Sequence, residues 1–427
     1  MSELRKKLDN FIRRESPREE PESEIRAHLQ RLYDRSTHPK HFPDEAVIRR
    51  YQRLDECVSG RWQNTPFGDI FIGLTRYPET HEVGTVPVKR IFSIDDNWLS
   101  RLGNFGRETM IDFRQTVFVD TETTGLSGGS GTVAFLIGIG YFVADEFQVD
   151  QYFIDTFTRE EGMLDLVAKF IKPYPTVVTF NGKTFDLPLL ESRYVMVRQT
   201  SPFAGLDHLD LLHPSRQLWK LELENCRLQT IEQKILHFNR IDDVPGEEAP
   251  LIYFRYLRDG NPVPLQPVFK HNADDIISMA AVTYQLWRQF HAKDEDVSSG
   301  LIDHARGRIL TNKGEPEMAA QAYQKALQGE LSLGRRKDVL IRLALLQKRL
   351  GRWDEFEATL RQAIEMSDPF HMLPFEELAK YYEHRKKDYA VAIETVSEAI
   401  RQLPTHRVME SDDLMHRLNR LHKKMGG

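Results

Sequence analysis

Cysteine is nearly absent: Cys57 and Cys226 are the only two in 427 residues, and neither belongs to a Cys-x-x-Cys pair. That excludes a disulfide framework and a paired-thiol motif, and the expectation is a cytoplasmic protein with reduced structural thiols. Long apolar runs are absent as well. No stretch of about 18 uncharged apolar residues occurs, so no membrane span is expected. The N-terminal MSELRKKLDNFIRRESPREE has no apolar segment that could act as a secretion signal. Positive charge is not in surplus either. Lys and Arg number 58 against 64 Asp and Glu, for a net charge of −6. Coating of nucleic acid through bulk charge is thereby excluded, and any such contact must be local. Finally, the SGGSG loop at 127–131 has no Gly-Lys-Ser/Thr behind it, so it reads as a hairpin turn and not as a phosphate loop.

What is there describes a soluble chain of two or three domains, with 40% hydrophobic and 29% charged residues. Residues 1–65 read as a charged arm, helical or mobile. Residues 66–111 alternate short β-type runs with turn residues and read as β-hairpins packed on the next domain. From 112 to 295 the pattern predicts a three-stranded antiparallel meander (TVFVDTE, TVAFLIGIGYFV, FQVDQYFIDTF). Alternating helices and short strands follow, including TVVTF at 176–180 and HLDLL at 208–212. A mixed sheet with flanking helices is the expected α/β fold class.

Residues 300–427 differ. NKGEPEMAAQAYQKAL, RLGRWDEFEATLRQAI and RKKDYAVAIETVSEAI align so that Ala326, Ala363 and Ala399 are equivalent, with Gly314, Gly351 and Lys387 at the turns. Small residues at helix crossings and a period slightly above 34 resemble the tetratricopeptide repeat. The resemblance implies an all-α tail that binds a protein partner. Repeats contact chiefly their neighbours, so the tail is expected to be separable from the core.

Chemistry concentrates in three stretches. In FVDTETTGL, strand alternation puts Asp120 and Glu122 on one face. Two carboxylates so close repel unless a cation lies between them, and hard divalent ions suit an all-oxygen set. In FNGKTFDLPLL, Asp186 opens a helix after a buried strand. In HNADDIIS, His271 and Asp275 share a helix face at i and i+4, with Asp274 turned away and expected to be solvated.

The order Asp-x-Glu-Thr-Thr-Gly, Asn-x-x-x-Phe-Asp and His-x-x-x-Asp resembles the DEDD, or DnaQ-like, 3′–5′ exonuclease superfamily. DTETTGLSGGSGTVAFLIGIGYF, FNGKTFDLPLLESR and the trailing repeats are similar to the YprB-type ribonuclease-H-like proteins. The resemblance implies a ribonuclease-H-like core that hydrolyses phosphodiesters of DNA or RNA from a 3′ end. Asp120, Glu122, Asp186 and Asp275 would hold two Mg²⁺ or Mn²⁺ ions. Thr121, Thr123 and Leu126 would cradle the terminal nucleotide, while Asn181 and Phe185 would shape the cleft. His271 would orient or deprotonate water, since imidazole titrates near neutrality; it stands at the spacing where one branch of the superfamily carries Tyr. Asp210 is a further acidic candidate on a neighbouring strand. The competing expectations are an inactive nucleic-acid-binding scaffold on the same fold, and a structure-specific endonuclease.

Overall fold

The computed structural model describes residues 53–103, 108–125, 131–291, 299–366, 369–404 and 408–426. Most of the expected N-terminal arm, Leu126 and nearly all of the SGGSG loop lie outside the described residues.

Seven strands form one mixed sheet: β1 (Gly60–Thr65), β2 (Gly68–Tyr77), β5 (Thr116–Thr123), β6 (Ala134–Val143), β7 (Glu146–Phe153), β8 (Thr176–Thr179) and β9 (Asp207–Asp210). A two-residue ribbon, β3 (Glu82–Val83) and β4 (Val86–Pro87), stands apart. The sheet order is β1-β2-β7-β6-β5-β8-β9. Strands β1, β2, β7, β6 and β5 pair antiparallel, and β5-β8-β9 pair parallel. The hairpin β1–β2 therefore continues the sheet through β7. Gly60–Thr65, inside the stretch read as an arm, is the edge strand. Backbone pairing drives this: unsatisfied edge N–H and C=O groups of β7 find partners in β2.

The helices are α1 (Leu54–Cys57), α2 (Trp98–Leu102), α3 (Glu160–Ile171), α4 (Asp186–Met196), α5 (Leu212–Trp219), α6 (Leu228–Ile231, running into a π-type turn, Glu232–Leu236), α7 (Ala249–Asp259) and α8 (Gln266–Phe290). Both faces of β6 are covered, so its nine residues Ala134–Phe142 are all buried. On one side α8 lies close against it. A methyl group added at Gly138 would strike Asn272 and Ile276, and one at Gly140 would strike Ile276. The GIG of the meander is thus what lets α8 approach the sheet. On the other face, Val117 and Val119 join Phe135, Leu164, Leu190 and Tyr253 in a second core.

The tail is all-helical: α9 (Gly300–Asn312), α10 (Pro316–Gln328), α11 (Leu333–Arg349), α12 (Trp353–Glu365), α13 (Met372–Lys380), α14 (Tyr389–Gln402) and α15 (Val408–Gly426). The alignment read from sequence holds in detail. Ala326, Ala363 and Ala399 are fully buried, and Gly314, Gly351 and Lys387 all adopt positive φ, at 80°, 75° and 56°. The tail is not packed only on itself. Ile302, Ala305, Ile309 and Tyr323 belong to the same hydrophobic cluster as Phe118, Trp219, Ile276 and Phe290. The first repeat closes one face of the α/β core.

Among the described residues no helix is long and apolar enough to cross a membrane. Cys57 and Cys226 are not joined in a disulfide.

Candidate active site

Asp120 and Glu122 follow Phe118 on the face of β5 that looks toward α8. The neighbouring strand β8 pairs with β5 only at Thr116–Phe118. Beyond that point β5 has an open edge, and the first turn of α4 brings Asp186 to it. Thr121 donates its hydroxyl to Asp186 Oδ1 at 2.6 Å. From α8, Asn272 donates its amide to Asp120 Oδ2 at 2.8 Å. Three motifs far apart in sequence thus meet at the end of one strand, beside a β-bulge between Glu122 and Thr123.

The carboxylates there outnumber the one cation beside them, Arg240. Burial, then repulsion from Asp275, Asp186 and Glu122, holds the Asp120 carboxyl well above its usual range. Burial, then Asp275, Asp186 and Asp243, does the same to Glu122, with Arg240 opposing. Burial pushes Asp186 up to about 6, against the lowering effect of the Thr121 hydroxyl. Glu122 is 7% exposed and has no hydrogen-bond donor among the described residues. A buried carboxylate without a donor, flanked by three others, is a site that fits a hard divalent cation. No group of three or more His, Cys, Asp or Glu among the described residues stands ready as a ligand array. Asp120, Asp186 and Asp275 are each turned onto protein donors instead.

Asp275 is turned onto a residue with no role in the sequence motifs. Arg240, its side chain 4% exposed, pairs with Asp275 and with Glu232, the latter at 2.6 Å. His271 lies 3.2 Å from the same guanidinium. Its Nδ1 is 2.7 Å from Asp243 Oδ1, and its Nε2 is 3.8 Å from Asp275 Oδ2. A carboxylate only accepts and a guanidinium only donates, so of the two contacts on Nδ1 the shorter one, to Asp243, calls for a proton there. Asp243 is held below the usual carboxylate range: burial raises it, but the His271 bond and charge, with Arg240, outweigh that.

The remaining candidates divide. Asp210, 1% exposed, uses both oxygens on backbone N–H groups: Asn181 at 2.8 Å, Lys183 at 2.9 Å and Leu212 at 3.0 Å. It shapes the loop that delivers Asp186. Asn181 has a φ of 67°, a left-handed conformation that Asn tolerates. Phe185, 53% exposed, presents its ring to solvent beside Asp186. Thr123 hydrogen-bonds the Gly125 carbonyl at 2.8 Å. Asp274 is not solvated as expected; it is 9% exposed and pairs with Lys270 at 2.6 Å, because α8 is buried on nearly all sides.

Sequence reasoning missed Arg240, Glu232, Asp243 and Asn272. Only Asn272 carried a signal, as the neighbour of His271 in HNADD. The others sit in a stretch, EQKILHFNRIDD, with no spacing of its own.

Comparison with known proteins bears on the two regions of the chain. Residues 117–288 match the RNase_H superfamily, and residues 304–328 match the tetratricopeptide repeat. An uncharacterized protein, YprB, of Bacillus subtilis (strain 168) is 26% identical over 357 residues, covering 82% of this chain and 84% of that protein. The α/β region thus carries an RNase H superfamily domain, followed by a helical tail with a tetratricopeptide repeat.

Proposed function

We propose that this protein is a metal-dependent 3′–5′ exonuclease acting on DNA or RNA. The observation that carries the reading is the convergence of Asp120, Glu122, Asp186 and Asp275 at the end of β5, with Glu122 buried and lacking a donor. Asp120, Glu122, Asp186 and Asp275 would hold two Mg²⁺ or Mn²⁺ ions. Bound there, the ions would neutralise the cluster and lower the pKa of water. The chain's own residues account for the rest. Asn272 fixes the Asp120 rotamer, and Thr121 fixes Asp186. His271, its Nδ1 held by Asp243, offers Nε2 as the acceptor for a proton from the attacking water. Phe185 offers an open ring face for the terminal base, worth about 1–3 kcal/mol where stacking is complete. Thr123 and Leu126 are the remaining candidates for the nucleotide cradle, and the repeat tail is the protein-binding part.

The test is incubation of the purified chain with 3′-labelled and 5′-labelled single and double strands, with Mn²⁺ or EDTA. Mn²⁺-dependent release of mononucleotides from the 3′ end is expected. Internal cuts would instead identify an endonuclease. One observation favours a second reading, an inactive nucleic-acid-binding scaffold: the Arg240–Asp275 ion pair already neutralises one of the four carboxylates. Binding of strands without cleavage at any Mn²⁺ concentration would select it.

A further inference from the structure

Asp120 stands in a row of residues that crosses the sheet. Its partner on β6 is Gly138, Gly138 pairs with Gln151 on β7, and Gln151 pairs with Gly73 on β2. Directly opposed residues of antiparallel strands share a face, so all four look toward α8. Two of the four are glycines, and α8 fills the bare positions. A methyl group at Gly138 would strike the Asn272 oxygen, and one at Gly73 would lie 3.0 Å from the Phe269 ring. Asn272 therefore lies across the row, between Gln151 and Asp120.

Gln151 and Asn272 are 1% and 0% exposed, where a polar group is costly unless it is bonded. Their hydrogen bonds run in one direction. Gln151 Nε2 donates to the Phe269 carbonyl at 2.7 Å and to Asn272 Oδ1 at 2.8 Å. Asn272 Nδ2 then donates to Asp120 Oδ2 at 2.8 Å. A side-chain amide can be turned end for end, but a backbone carbonyl only accepts. Phe269 therefore requires the NH₂ end of Gln151, and both of its hydrogens are spent. That NH₂ requires the oxygen end of Asn272, which leaves the Asn272 NH₂ for Asp120. The backbone of α8 thus sets the sense of the whole chain. With the opposite sense, Asn272 would turn its oxygen on a carboxylate.

We propose that Gln151 is a positioning residue of the active site: it fixes which end of the Asn272 amide meets Asp120, and so holds that carboxylate in place for a divalent cation. The proposal rests on the reading of Asp120 as a metal ligand, and it adds a residue of β7 that no motif marks. Packing between β7 and α8 needs only a side chain of this size, whereas the relay needs its NH₂.

The test is Mn²⁺ binding by the full-length chain, followed by isothermal titration calorimetry, with thermal melts in EDTA as the check on folding. Gln151→Met keeps the length of the side chain and loses its donors. It should weaken Mn²⁺ binding by roughly 10–100-fold, the usual effect of removing a group that orients a metal ligand. Asn272→Leu should weaken it as much, and adding Gln151→Met to Asn272→Leu should cost nothing further. Gln151→Ala is the second variant should Gln151→Met not fold, and the same loss is expected of it. It admits water beside the Asn272 oxygen, and water donates as readily as it accepts, so the direction is not restored. A folded Gln151 variant that binds Mn²⁺ as wild type does overturns the proposal. So does a loss that recurs in full on the Asn272→Leu background, which would make Gln151 a packing residue. Asp120→Ala separates the two readings. If it binds Mn²⁺ as tightly as wild type, or if wild type binds none, the metal-ligand reading falls and the relay with it. If Asp120→Ala loses binding while the Gln151 variants keep it, the relay alone falls.

Discussion

Arg240 and Asp275 form a buried ion pair in which the guanidinium also serves Glu232, so one cation bridges two acids beside the candidate metal site. Asp275 is thereby held by a protein cation, and its orientation depends on a loop residue that no motif names. Glu232 is 1% exposed. Burial pushes its carboxyl up, and Arg240 acts against that.

Removing Arg240 should therefore damage the fold before it damages chemistry. Arg240→Met leaves Glu232 as an unpaired buried charge, a change that typically costs about 3–5 kcal/mol. Pairing it with Glu232→Leu removes that orphan and should recover part of the loss, since Asp275 still lacks its cation. Urea unfolding of the single and double variants measures both. A single variant as stable as wild type would show that the pair is not closed in solution.

The acidic cluster should make the metal-free protein sensitive to alkali. Asp186 is pushed up to about 6 by burial, from an ordinary value near 3.8. The folded state then binds this proton more tightly than the unfolded chain does. Its stabilising contribution is complete below about pH 4 and is lost as pH rises through about 6. Asp186→Asn should flatten that slope and stabilise the metal-free protein at pH 7.5 by on the order of 3 kcal/mol. Thermal melts in EDTA from pH 5 to 8 read the effect. Added Mn²⁺ should stabilise wild type above pH 6 and do little for the variant.

Metal dependence gives a second test of the cluster. Asp120→Ala and Asp275→Ala should each abolish nuclease activity. Asp120→Ala also relieves repulsion, so it should melt at the same temperature as wild type or higher. Either variant cleaving at the wild-type rate with an intact circular dichroism spectrum would remove that residue from the site.

His271 and Asp243 should act as one unit. His271→Ala is expected to slow the chemical step by roughly 10²–10⁴-fold, the usual range for a positioned acid–base group. Asp243→Asn should cause a smaller loss, because an amide can turn either its oxygen or its NH₂ to the ring and no longer fixes the tautomer. The double variant should be little worse than His271→Ala. Single-turnover cleavage at saturating Mn²⁺ checks this. Additive losses would mean the two residues work separately.

Deleting residues 300–427 should yield an insoluble or molten protein. Ile302, Ala305, Ile309 and Leu310 cover a core that includes Trp219 and Phe290, and each large apolar side chain so buried is worth about 1.5–3 kcal/mol. Ending the chain at 366 keeps α9–α12 and should preserve a cooperative melt. A soluble, cooperatively folding 1–299 fragment would show that this interface is dispensable.

Much of this architecture could be read from local pattern. Strand alternation alone aligned Asp120 with Glu122, and helical spacing alone aligned His271 with Asp275. The repeat turns could be read because Gly314, Gly351 and Lys387 recur at one phase, and each adopts the left-handed conformation that phase requires. These are properties of neighbours in sequence, where backbone geometry leaves few choices. What joins distant segments was not legible. The pairing of β2 with β7 depends on which edges are left open once the meander forms. The partnership of Arg240 with Asp275, and of Asp243 with His271, depends on where an irregular loop passes after the sheet and α8 have packed. Asp210 reads in sequence only as a lesser acidic candidate on a neighbouring strand, and the fold spends its oxygens on three backbone N–H groups. A carboxylate in sequence is only a charge. Whether it meets a cation, a backbone donor or another carboxylate is settled when the core closes and water is excluded, because burial without a partner carries so large an energetic penalty.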